Sequence, residues 1–152
     1  MNGGQISNNQ ANQIHLAGDG GCGGGIYVAS DDVALYGGEI TGNTASRQGG
    51  GVYVCSTPYK LYMYDTLVTE NTAELLGGGM WLCPTGTAES YVENGGAIFD
   101  NKCDGGGDDI ASIPKTGDAS LSLTNRPLGN WLVHWYKDGD VEEHSGVLGD
   151  PV

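Results

Sequence analysis

At 152 residues the chain has room for one domain or a short repeat array, and not for two sizeable cores. Glycine supplies 28 of those residues, well over twice the usual ~7%, and the Val-, Ile- and Tyr-rich runs between the glycines point to an ordered, sharply turning backbone, not a flexible low-complexity one. A net charge of −13 with six Lys and Arg argues against nucleic acid and anionic membrane surfaces as partners, and the chain has no run of about 18 apolar residues to insert into a bilayer.

The first residues, Gly3-Gly-Gln-Ile-Ser-Asn-Asn-Gln-Ala11, match Gly37-Gly-Glu-Ile-Thr-Gly-Asn-Thr-Ala45. Met1-Asn-Gly-Gly has neither the basic start nor the apolar segment of a secretory signal. Because the chain opens inside a repeat, we expect a piece of a longer protein, with export signal and anchor elsewhere. Residues 12–22 form an insertion, expected to leave the stack at one edge.

Ile26-Tyr-Val28 and Val33-Ala-Leu-Tyr36 then read as strands, being short, β-branched or aromatic, and bounded by Gly, Ser and Asp. Further strands are expected at 52–54, 59–64, 67–69, 80–82, 90–93 and 97–99. The stretch Ile40–Val54, ITGNTASRQGGGVYV, returns as Val68–Leu82, VTENTAELLGGGMWL, with Asn43 and Asn71, and Gly51 and Gly79, both 28 positions apart. Weaker copies flank these two, so the chain holds about four units of one repeat.

Three short strands per period, with glycine corners and no hairpin signal, predict an all-β, right-handed parallel β-helix of about four to five coils, each coil hydrogen-bonded to the next about 4.8 Å away. Alternation along each strand places Ile26, Val28, Val52, Val54, Met80 and Leu82 inside, with Ile6, Ile40, Val68 and Ile98 stacked behind them. Asn9, Asn43, Asn71 and Asn101 each follow one of these by three residues, a corner position where the amide satisfies turn backbone and the next Asn in the stack. Residues 1–124 are thus assigned to the repeats. The aromatic segment at 125–152 is expected to be a C-terminal cap, or the start of a following segment, blunting the open end.

The order [Ile/Phe]-x-x-Asn, x-Ala, Gly-Gly-[Ala/Gly]-[Ile/Val/Leu] is carried here by Ile40-Thr-Gly-Asn43-Thr-Ala45 with Gly49-Gly-Gly-Val52, and by Val68-Thr-Glu-Asn71-Thr-Ala73 with Gly77-Gly-Gly-Met80. Gly95-Gly-Ala-Ile98 repeats the glycine half. Over roughly residues 3–111 this resembles the repeats of the chlamydial polymorphic outer-membrane protein family, also found in large surface proteins of other bacteria. The resemblance implies a β-helix exposed on a bacterial surface, extracellular, serving as an adhesin passenger or stalk. Aliphatic residues stand here where that family usually has Phe.

The outward row Tyr27, Tyr53, Trp81 is the candidate ligand surface, for a host glycan or a host surface protein, with Tyr36, Tyr59, Tyr62 and Tyr64 as a second aromatic surface. Equally, these rings stabilise the sheet by stacking from coil to coil. The rival reading is a polysaccharide lyase or glycoside hydrolase of the β-helix class, which needs a cleft with two carboxylates, or carboxylates with Arg47 or Lys60. Ice binding would need a flat threonine array, and only Thr41 with Thr69 and Thr44 with Thr72 stack.

Asp31-Asp32, Asp108-Asp109 and Glu142-Glu143 read as solvated turn carboxylates. Asp108 and Asp109 also follow the glycine run 105–107, where other repeats place Val52-Tyr53 and Met80-Trp81, so calcium near the cap is the alternative to no cofactor. His15, His134 and His144 have no metal-ligand spacing to another His or Cys. Cys55 and Cys83 occupy one position in successive repeats, either as a disulfide or as stacked thiols, while Cys22 and Cys103 are not expected to meet. An open coil end would also permit self-association.

Overall fold

The computed structural model describes residues 1–12, 20–56, 58–91, 96–112 and 120–124. Among these residues the chain is all-β, without a helix, and every strand pairing is parallel. A first pass consists of β1 (Gln5–Ser7), β2 (Gln10–Ala11) and β3 (Ile26–Val28), and a second of β4 (Val33–Thr41), β5 (Thr44–Ala45) and β6 (Val52–Val54). The third is β7 (Lys60–Thr69), β8 (Thr72–Ala73) and β9 (Met80–Leu82). The fourth is β10 (Thr87–Tyr91), β11 (Ala97–Phe99), β12 (Lys102–Cys103) and β13 (Ile110–Ser112), and β14 (Ser120–Thr124) stands last.

The strands fall into three sheets that the chain visits in rotation. The first has the order β1-β4-β7-β10-β14, with β11 also on β7; the second is β2-β5-β8-β12 and the third β3-β6-β9-β13. Parallel neighbours cannot be joined by a tight hairpin, so each connection must travel through the other two sheets before returning.

The inward columns are in the expected register. Ile6 pairs with Ile40, Ile40 with Val68 and Val68 with Ile98; Ile26 pairs with Val52, Val52 with Met80 and Met80 with Ile110. On the long strands Leu61 and Met63 are buried while Tyr62 and Tyr64 point away, as period-two alternation requires. These aliphatic side chains of the first and third sheets make one continuous core, and the second sheet adds the buried small residues Ala45 and Ala73.

Two backbone devices hold the passes close. Just before each ladder asparagine the chain enters the left-handed region, at Asn8 (φ 56°), Gly42 (64°), Glu70 (57°) and Asp100 (55°). In the glycine run the passes nearly touch: a Cβ on Gly50 would lie 2.3 Å from the Gly78 carbonyl oxygen and 2.4 Å from that of Thr72.

The last glycine run is displaced from its expected place. Gly78 donates to Gly107 O, Gly79 to Asp108 O and Met80 to Asp109 O, as Gly50 does to Gly77 O, Gly51 to Gly78 O and Val52 to Gly79 O one pass earlier. Gly107-Asp108-Asp109, and not residues 105–107, therefore replace Gly77-Gly-Gly79, and the fourth partner of Trp81 is Ala111. The connection after β12 is as long as its counterparts, 104–109 against 46–51 and 74–79, but its glycine triplet comes two residues early, so matching glycine to glycine slid the register by two. The proposed cap at 125–152, most of the insertion and all three histidines lie outside the described residues.

Candidate functional site

The most ordered polar feature is the corner ladder. Asn9 donates from its backbone N and Nδ2 to Asn43 Oδ1 at 3.0 and 2.9 Å, and Asn43 does the same to Asn71, and Asn71 to Asn101. The second proton of each inner Nδ2 goes to backbone carbonyls: Ile6 and Thr41 for Asn43, Ile40 and Thr69 for Asn71, Val68 and Phe99 for Asn101. Asn43, Asn71 and Asn101 are buried, so the ladder satisfies corner groups that water does not reach.

The fifth rung is Asp109, a calcium candidate by sequence. Its Oδ1 accepts from Asn101 N and Nδ2 at 3.1 and 2.9 Å, while its Oδ2 is buried without a hydrogen-bond partner. Burial, with a smaller contribution from the nearby Asp108 and Asp100 charges, pushes the Asp109 carboxyl up to about 6. Asp108 Oδ1 accepts from Cys103 N at 2.8 Å, so both carboxylates hold the corner together. Among the described residues no three His, Cys, Asp or Glu side chains are grouped to hold a metal ion.

The aromatic row on the third sheet forms in register, Tyr27 to Tyr53 to Trp81, but it is not an exposed platform. Exposure falls from 47% at Tyr27 to 4% at Trp81, and Trp81 packs with Cys83, Ala111, Tyr53 and Leu76 in a second apolar cluster. Trp81 is therefore withdrawn as a ligand platform. Tyr27 and Tyr53 lie face to face, centroids 4.8 Å apart and planes within 7°. Stacking in this way covers one face of each ring.

Sequence reasoning missed the thiols bonded to these rings, although alternation carries Cys55 and Cys83 to the outward face two residues after Tyr53 and Trp81. Cys83 donates to the Tyr53 hydroxyl at 3.0 Å, and Cys55 hydrogen-bonds Tyr27 in the same diagonal sense. The Cys55 bond and then burial push the Tyr27 phenol well up, and burial followed by the Cys83 bond does the same at Tyr53. All four cysteines are thiols, so Cys55 and Cys83 are stacked and not bridged.

On the first sheet, Tyr36 and Tyr64 stack at 4.9 Å with planes within 8°, and Tyr36 is 56% exposed, the most open large aromatic described. Beside them Lys60 pairs with Glu89 at 2.5 Å and sits 4.8 Å over the Tyr62 ring. Lys60 thus serves a surface ion pair between neighbouring passes. Thr41 meets Thr69 and Thr44 meets Thr72, with Thr69 buried, so threonine forms no broad flat array there.

One depression, of about 270 Å³, opens at the second-sheet corner and is lined by Glu70, Asn71, Thr72, Asp100 and Lys102. Sequence reasoning missed it because Glu70 and Asp100 look like isolated turn residues. Their left-handed corners put them in successive passes, with Lys102 two residues beyond Asp100. Glu70, Asp100 and Lys102 are all exposed.

No protein-family model matches the chain, and no curated protein or solved structure matches it either.

Proposed function

We propose that this chain is a segment of right-handed parallel β-helix acting as a non-enzymatic, adhesin-like structural module on a bacterial surface. The observation that carries the reading is the buried ladder from Asn43 to Asp109. The ladder uses the buried polar residues of each pass to join that pass to the next, as a spacing element requires. The resemblance of residues 3–111 to surface repeats supports the location. The exposed Tyr36–Tyr64 edge is the contact strip, offered to a host glycan or surface protein.

A second reading, a polysaccharide lyase or hydrolase, is favoured by one observation, the depression holding Glu70, Asp100 and Lys102. One experiment separates the two. The purified chain, immobilised on beads, is screened against a glycan array and host-cell surface proteins. In parallel it is incubated with pectate, polygalacturonate and alginate while new reducing ends and unsaturated products are followed. Binding that Tyr36→Ala with Tyr64→Ala abolishes, without cleavage, is the expected result. Cleavage lost in Glu70→Gln, Asp100→Asn or Lys102→Ala would overturn the module reading in favour of the enzyme.

A further inference from the structure

Cys55 and Cys83 are the first residues after β6 and β9, strands paired Val52 to Met80, Tyr53 to Trp81 and Val54 to Leu82 with no residue inserted. Cys83 N donates to Val54 O at 2.9 Å, and Cys55 N to Val28 O at 3.0 Å, so the pairing continues to the cysteines themselves. Both lie on the outward face, because Val54 and Leu82 before them are inside and Tyr53 and Trp81, two residues earlier, are outside. Neighbouring strands sit about 4.8 Å apart, within the roughly 4.4–6.8 Å between Cα atoms that a disulfide spans.

An in-register pair inside a strand keeps its Cβ atoms near the strand spacing, slightly beyond the roughly 3.5–4.5 Å a disulfide uses. These two positions escape that limit because each stands where its strand has ended. After Cys83 the chain turns at once, with Gly86 N returning to Cys83 O at 2.6 Å. A few tenths of an ångström of lean is therefore available without breaking the sheet.

We propose that Cys55 and Cys83 are a redox-convertible pair that forms an intramolecular disulfide, stapling the second pass to the third. Cys55, partly exposed, meets the oxidant first, and Cys83, 9% exposed, is the resolving thiol. With a low-molecular-weight disulfide as oxidant, the Cys55 thiolate attacks one sulfur, the small thiolate leaves, and a mixed disulfide forms. The Cys83 thiolate then attacks the Cys55 sulfur and expels the second small thiolate. In balance, two protein thiols are oxidised, two small thiols are produced, and the two protons go to the departing thiolates. Tyr53 loses the Cys83 S–H donor in the process. The inference needs only the register of the third sheet and stands independently of the surface-module reading.

The test uses the full reduced chain equilibrated with oxidised glutathione under native conditions. Remaining thiols are counted after denaturation, and the linkage is mapped by digestion and mass spectrometry. The expected result is loss of two of the four thiols with no retained glutathione, the linkage at Cys55–Cys83. A rise in Tm of roughly 5–10 °C that reductant reverses should accompany it. Cys55→Ser and Cys83→Ser should melt like the reduced parent and form no internal crosslink. Four surviving thiols, accumulation of mixed disulfides alone, or a linkage involving Cys22 or Cys103 would overturn the proposal.

Discussion

Asn101 reaches Asp109 twice, its backbone N and its Nδ2 both bonding one carboxylate oxygen at 3.1 and 2.9 Å. In earlier passes the same two donors find the asparagine of the following pass, and the residue corresponding to Asp109 is glycine. A Cβ on Gly79 would lie 2.7 Å from Asn101 Nδ2, and one on Gly51 2.9 Å from Asn71 Nδ2. Asp109 therefore occupies with its own side chain the place the next ladder asparagine would take, and ends the ladder with an acceptor that has no amide to pass on.

That ending makes stability depend on pH. The folded carboxyl titrates at about 6 against an ordinary 3.8, so the folded state holds its proton more tightly than the unfolded state. Its contribution is fully present below pH ~4 and is lost as pH rises through ~6, a loss on the order of 2 kcal/mol. Urea unfolding at pH 4 through 7 should show that decline. Asp109→Asn, which keeps the acceptor and cannot ionise, should flatten this part of the profile and raise stability at pH 7 by roughly 1–2 kcal/mol. An unchanged profile in the variant would assign the decline to other carboxylates.

The ladder should matter most at its centre. Asn71→Ala removes the bonds to Ile40 O, Thr69 O and Asn101 Oδ1 and leaves the buried Asn43 backbone N–H and one of its two Nδ2 protons without an acceptor. The expected cost is roughly 3–5 kcal/mol. Asn9→Ala, at an exposed position with one neighbour in the ladder, should cost about 1 kcal/mol. Equal costs measured by denaturant titration would contradict the cooperative role given to the inner rungs.

Glycine is required for two different reasons, and alanine substitution separates them. Gly50→Ala places a methyl 2.3 Å from the Gly78 oxygen and should abolish folding or cost roughly 3 kcal/mol or more. At Gly37 the nearest atom is 3.8 Å away, and only a φ of 76° opposes a side chain, so Gly37→Ala should cost roughly 1–2 kcal/mol. Expression yield and thermal melts of both variants decide this.

Trp81 and Tyr27 share a column yet should behave differently. Trp81→Ala empties a buried apolar cluster and should cost roughly 3–5 kcal/mol, whereas Tyr27→Ala removes one stacking partner and a thiol contact, for about 1 kcal/mol. Similar losses would mean that Trp81 is more open than its 4% exposure indicates.

Local sequence determined the strands, their inward faces and the ladder columns, because alternation and a recurring Asn–Gly pattern are set by nearest neighbours along the chain. It also held the clue to Asp109. Counting from the ladder asparagine, Gly51 follows Asn43, Gly79 follows Asn71 and Asp109 follows Asn101 by the same eight positions, a constancy obscured by the more conspicuous glycine triplet. Tertiary structure alone decided which outward faces stay open, since Tyr36 and Trp81 occupy equivalent outward positions on their own strands and differ only in what packs over them. It also decided that Glu70, Asp100 and Lys102 share a depression. That convergence depends on how far each pass travels before returning, a distance set by the sum of the loops.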